Sequence, residues 1–209
     1  MKFYDCSTAP SPRRVRMLIA EKGIVIETLQ VDLGRGEHLT EAFAKLNPQR
    51  TVPVLELDDG TCLLDSYSIS LYLDALFPEP NLTGRDAKER ALVAMWQRTI
   101  EIDGLMAVAE CFRNRSKGFV NRALTGAVDY AQIAELSERG RLRTRHFFAM
   151  LNAHLTDREH IVLDRLTVAD ISAFVAVEFS RAIKEPIPQD AIHLQRWRDV
   201  IAARPSAHA

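Results

Sequence analysis

A proline directly before an apolar run, in Thr51-Val52-Pro53-Val54, and an acid followed by a hydroxyl before an amphipathic stretch, in Leu64-Asp65-Ser66-Tyr67, are the pairs best suited to chemistry on a small molecule. Proline cannot donate to a sheet ladder, so Pro53 at the head of a strand asks for a reason. Two readings stay open: a cis Val52-Pro53 bond that turns the Val52 N–H and C=O toward a ligand's backbone, or an ordinary trans proline at a strand start. Asp65-Ser66 also admits two readings. The unpaired N–H groups of a helix N-terminus hold a carboxylate while a neighbouring Asp accepts from an ammonium, which suits a zwitterionic amino-acid head; the alternative is a plain N-cap pair. Cys6, Cys62 and Cys111 are scattered, with no Cys-x-x-Cys, and read as free thiols rather than a disulfide framework or a zinc site. No metal is expected.

These residues need elements to position them. Phe3-Tyr4, the amphipathic Val15 to Glu21 segment and Thr28-Leu29-Gln30-Val31 read as β-α-β. Ser11-Pro12 opens the helix as N-cap and first helical proline, and Lys22-Gly23 closes it. His38 to Lys45 predicts a short second helix, Val54 to Leu57 and Cys62 to Leu64 a hairpin about Asp58-Asp59-Gly60, and Ser66 to Phe77 a further helix. Pro78, Pro80, Asn81 and Gly84 then interrupt the pattern. Beyond them only helical periodicity remains: Met95, Ile102, Met106, Ala109 and Phe112 form one stripe, and Ile133, Leu136, Gly140, Thr144, Phe147 and Leu151 another. The expected organisation is an α/β domain over residues 1–78, a linker over 79–85 and an all-α bundle over 86–209.

Composition narrows the partners. With 209 residues, 47% hydrophobic, 27 Lys plus Arg against 28 Asp plus Glu, the chain is globular and close to neutral. No basic stripe interleaved with aromatics points to nucleic acid, and no apolar run nears the roughly 20 residues of a membrane span. A small solute is the expected partner, and the cytoplasm the expected location.

Arg13-Arg14-Val15-Arg16 with Ala20-Glu21-Lys22-Gly23-Ile24, then Asn47-Pro48 with Thr51-Val52-Pro53, then Asp65-Ser66, taken in order, resemble the cytosolic glutathione transferase family. Thr167-Val168-Ala169-Asp170-Ile171 resembles its buried capping box, and Trp197 with Ala203-Arg204-Pro205-Ser206 its C-terminal signature, so the resemblance spans the chain. It implies a thioredoxin-like α/β domain on a helical bundle, a homodimer, and glutathione as co-substrate. Carried over, it assigns the cysteinyl backbone of glutathione to Val52 and Pro53, and the γ-glutamyl head to Asp65 and Ser66. His38 stands where theta-like relatives bind the glycine carboxylate, and Arg50 offers a firmer cation for the same group.

The resemblance breaks at the sulfur. The serine or cysteine position of several classes falls on Ala9, which can donate nothing. Lowering a thiol pKa from about 8.5 by about two units needs roughly 2.7 kcal/mol of preferential anion stabilisation. A hydroxyl at a helix N-terminus could supply it, which makes Ser11 the first candidate and Thr8 the second. An atypical fungal and bacterial subgroup that also lacks this catalytic residue is the most similar; the serine and histidine it uses in the first long C-terminal helix fall here on Ala109 and Arg113. Cys6 sits three residues too early for a thiol-transfer role and reads as a buried structural thiol. The expected activity is attack of bound glutathione on a hydrophobic electrophile lying between the domains, near Met106, Glu110 and Arg113. A glutathione-binding ligandin with little turnover and a glutathione-dependent peroxidase are the rival readings.

Overall fold

The computed structural model describes residues 1–209. Strand β1 (Lys2–Asp5) lies at the centre of a four-stranded sheet of order β2-β1-β3-β4. It pairs in parallel with β2 (Glu27–Gln30) and antiparallel with β3 (Val54–Glu56), which forms the expected hairpin with β4 (Cys62–Leu63). The parallel pair requires a crossover, and α1 (Pro10–Lys22) supplies it, closed by Gly23 in the left-handed conformation at φ 62°. The expected second helix is split. Thr40 is extended and its hydroxyl accepts from the Phe43 N–H, so a 3-10 turn over Glu37–Leu39 precedes a newly capped α2 (Glu41–Leu46). Helix α3 (Ser66–Leu76) follows the hairpin. This is the thioredoxin-like α/β arrangement.

The rest is helical. The first apolar stripe runs through α4 (Ala87–Thr99), a π-helical turn (Ile100–Leu105) and α5 (Met106–Arg115); the second runs along α6 (Ala134–His154). Gly140 lets α6 approach α5 closely, since a Cβ there would lie 2.6 Å from both the Ala107 carbonyl oxygen and the Cys111 nitrogen. Helix α7 (Val168–Phe179) is buried from Val168 through Val177, and α8 (Ile192–Ala202) covers it with Trp197. Thr167 and Asp170 form the reciprocal capping box at the start of α7. One continuous core joins the two halves, with Phe3, Val15, Leu18 and Leu73 in the same cluster as Phe147, Phe174 and Trp197.

Polar contacts also cross the join between the halves. Lys22, wholly buried, meets Asp74 at 2.6 Å and donates to the carbonyls of Phe77 and Pro80. Asp74 in turn accepts from the N–H groups of Leu82 and Thr83, and the Leu82 carbonyl accepts from the Val168 N–H at the start of α7. No helix is long and apolar enough to cross a membrane.

Candidate functional site

The strand registers gather the candidate residues. Tyr4 faces Val54 and Leu55 faces Leu63, so continuing those pairings past the strand ends brings Cys6 toward Val52, and Pro53 toward Asp65, at one end of the sheet. The loop Cys6–Ala9 leaves β1 at that end, and α1 and α3 both begin there. Arg16 makes this corner rigid by bonding the Asp5 carboxylate and the carbonyls of Cys6 and Ser7.

Helix α1 begins two residues earlier than the sequence indicates. Its N-cap is Ala9, extended and without a side-chain cap, and Ser11 is the second helical residue. The assignment of Ser11 as N-cap is therefore corrected. The reason is local: Pro10 suits the first helical position as well as Pro12 does, because no N–H is needed there. Since residues 10 and 12 are both proline, Ser11 holds the only N–H of the first turn's opening three residues, and it donates to nothing in the chain. Its carbonyl accepts from the Ser66 hydroxyl at 2.8 Å, which ties the two helix starts together. Its own hydroxyl oxygen lies 3.4 Å from Arg14, whose guanidinium is buried and paired with Glu101 of the π-helical turn at 2.9 Å. Thr8 is exposed, with its hydroxyl 3.5 Å from the buried Cys6 thiol.

Asp65 is the N-cap of α3, and one of its oxygens accepts from the N–H groups of Tyr67 and Ser68. The Ser66 N–H is left without an acceptor, as are both backbone polar groups of Val52, which precedes a cis Val52-Pro53 bond. With the Ser11 N–H, four unpaired backbone groups thus stand at the end of the sheet where the two helix N-termini converge, and backbone groups of this kind require partners.

Arg50 is not the free cation expected. Its guanidinium donates to the Leu39 carbonyl and pairs with Glu41 at 2.7 Å, so it fastens the 3-10 turn to α2. His38 has a buried Nδ1 with no partner, and burial, reinforced by the charges of Arg122 and Arg113, holds its pKa below the usual 6.5. The sign follows: the folded state binds the proton less well than the unfolded chain, so this contribution to stability is intact above about pH 6.5 and is lost as the pH falls through the depressed value. Melting temperatures from about pH 8 to about pH 5 should therefore fall more steeply for the native protein than for His38→Gln. Parallel curves would contradict this account of His38.

Two family models cover most of the chain: "Glutathione S-transferase, N-terminal domain" matches residues 3–81, and "Glutathione S-transferase, C-terminal domain" matches residues 105–205. The protein belongs to the glutathione S-transferase family. Glutathione S-transferase 2 of Saccharomyces cerevisiae is 31% identical over 99% of this chain and 87% of its own. Among solved structures, a glutathione S-transferase domain-containing protein from Marinobacter aquaeolei is 39% identical, covers 99% of both chains and superposes with a TM-score of 0.91. Gtt2 from Saccharomyces cerevisiae is 31% identical, covers 100% of this chain and 99% of its own, with the same TM-score of 0.91. These relatives are fungal and bacterial, as the sequence resemblance implies.

Of the three residues expected to meet the second substrate, Glu110 and Arg113 are occupied elsewhere. Glu110 turns to α6, where Arg139 and Arg143 pair with it. Arg113 donates to the carbonyls of Arg122, Ala123 and Leu124 and lies over Phe119, so it organises the loop between α5 and α6. Met106 is exposed on the same helix. The other edge of α5 presents Phe112, edge-on to Phe179 at the end of α7. Phe179 lines a cleft of about 480 Å³ whose opposite wall is the loop Ser7–Pro10 with Arg13. Helical spacing identifies which residues share a face of α5, but only packing decides which face meets the cleft. No cluster of His, Cys, Asp or Glu able to hold a metal ion is present.

Proposed function

We propose that the protein conjugates glutathione to electrophiles as a cytoplasmic homodimer. The observation that carries this reading is the set of unpaired backbone groups at one end of the sheet, those of Val52, Ser66 and Ser11. Val52, before Pro53, pairs with the cysteinyl backbone of glutathione; the Ser66 N–H takes the γ-glutamyl carboxylate and the Asp65 carboxylate its ammonium. His38 lies toward the glycine carboxylate, with Arg50 holding the α2 segment in place. Ser11 then supplies an N–H and a hydroxyl at a helix N-terminus to the sulfur, with Thr8 as the second donor. With an aryl halide, the thiol proton passes to solvent, the thiolate forms the C–S bond, and the halide leaves with the bonding pair. Exposed Leu71 and Leu76 on α3 and Met95 on α4 supply apolar surface for a second subunit.

Titration of the bound thiol by its thiolate absorbance tests the assignment. Ser11→Ala should raise the thiol pKa by about one to two units, the worth of a charge-assisted hydrogen bond. An unchanged value in Ser11→Ala with a raised one in Thr8→Ala would transfer the role to Thr8. Binding of glutathione without turnover of aryl halides, isothiocyanates or organic peroxides would replace transfer by a ligandin role, to which Ala9 at the usual catalytic position already points. Absence of any thermal protection by glutathione would refute the binding reading itself.

A further inference from the structure

The cleft between the loop Ser7–Pro10 and the end of α7 is lined by a guanidinium, that of Arg13, which makes no ion pair of its own. Arg16 is paired with the buried Asp5 at 2.6 Å. Glu178, the acid on the far wall, is taken by Arg181 at 3.0 Å and Arg198 at 2.9 Å. Arg13 has no carboxylate partner. Its guanidinium donates once, to the Ala207 carbonyl at 3.0 Å, and lies over the Phe174 ring 5.4 Å from its centroid. A guanidinium has five N–H donors in a rigid fork, so most of the donor capacity of this cleft-lining residue is unused. The group is half-buried, where an ion pair is worth more than on an open surface. Val175, Phe179 and Ala182 give the cleft one apolar stretch of wall, beside the polar Glu178 and His208.

We infer that the cleft takes the electrophile of the proposed transfer reaction and that Arg13 selects electrophiles carrying a carboxylate or comparable oxyanion remote from the reacting carbon. The inference rests on the glutathione reading, since it takes Ala9 and Ser11 as the neighbourhood of the sulfur. Ala9 and Arg13 are four residues apart at the start of α1 and so share one face, separated by about 6 Å along the axis. That spacing fits an aromatic ring with the reacting carbon at one end and the anion at the other. The apolar wall accepts the ring, and the fork of Arg13 accepts the anion in a fixed orientation, which holds the reacting carbon toward the thiolate.

Equilibrium binding of glutathione conjugates tests this without requiring turnover. S-(4-carboxybenzyl)glutathione and its benzoate methyl ester differ only at the remote group, and S-methylglutathione, which leaves the cleft empty, is the reference for correct folding. The native protein should bind the carboxylate about tenfold or more tighter than the ester. Arg13→Gln should remove that preference, and Arg13→Lys should keep part of it, because the charge remains and the fork is lost. Equal binding of carboxylate and ester by the native protein, or an undiminished preference in Arg13→Gln, would overturn the inference. Failure of S-methylglutathione to bind the native protein would instead remove the glutathione reading and this inference with it, so the two failures are told apart.

Discussion

Lys22→Met should destabilise the protein by about 3–5 kcal/mol, the usual consequence of removing one partner of a buried ion pair. For a chain of this length that corresponds to a fall of roughly 10 °C in melting temperature. Side-chain exposure is 0% at Lys22 and 2% at Asp74, so no water can replace the lost ammonium. Its three protons are all used, on Asp74 and on the carbonyls of Phe77 and Pro80. Methionine matches the length of the chain but leaves the Asp74 carboxylate buried with only hydrogen-bond donors around it, from Asn81, Leu82 and Thr83. The site should feel the change, because the same carbonyls fix the path from α3 to α4, and the Leu82 carbonyl holds the start of α7. A looser join widens the cleft between the halves, so the affinity for glutathione conjugates that reach into the cleft should fall further than that for glutathione alone. Urea denaturation with conjugate binding reads both effects. A loss below about 1 kcal/mol would show that the pair is replaceable, as surface pairs are.

Much of the framework around the candidate site was legible in the sequence because its parts are local. Gly23 ending α1, the hairpin about Gly60, Asp65-Ser66 opening α3 and Thr167-Val168-Ala169-Asp170 opening α7 each depend on residues within one turn, and each forms as its chemistry requires. The start of α1 was not legible for the same reason. Pro10-Ser11-Pro12 satisfies the first-turn preference for proline in two registers, and a contact from far along the chain, the Ser66 hydroxyl on the Ser11 carbonyl, meets the Ser11 that results. Helical periodicity placed Met106, Glu110 and Arg113 on one face of α5, but the arginines of α6 that claim Glu110 lie 29 and 33 residues further on. The isolation of Arg13 is a property of the whole charge arrangement, visible only once Arg16, Arg181 and Arg198 have taken the available acids.

Asp170 holds the start of α7, whose Val168 N–H makes the helical half's bond to Leu82 at the join. It is fully buried, and its carboxylate accepts from the Ile161 N–H at 2.8 Å, the Thr167 N–H at 3.0 Å, the Thr167 hydroxyl at 2.9 Å and the Trp197 indole N–H at 3.2 Å. Burial pushes the carboxyl pKa up, against donors that favour the ionised form. Asp170→Asn preserves shape but puts an NH₂ group, itself a donor, opposite two of those donors. At least one buried N–H is then unpaired and another is opposed, so a loss of about 3–5 kcal/mol is expected, with Asp170→Ala costing at least as much. Because Trp197 and the segment at Ile161 are both held by this carboxylate, the loss should appear in a Trp fluorescence transition as well as in circular dichroism. An Asp170→Asn protein that melts within a few degrees of the native one would mean that the donors find other acceptors, and that the start of α7, with the Leu82 contact it carries, is held by apolar packing alone.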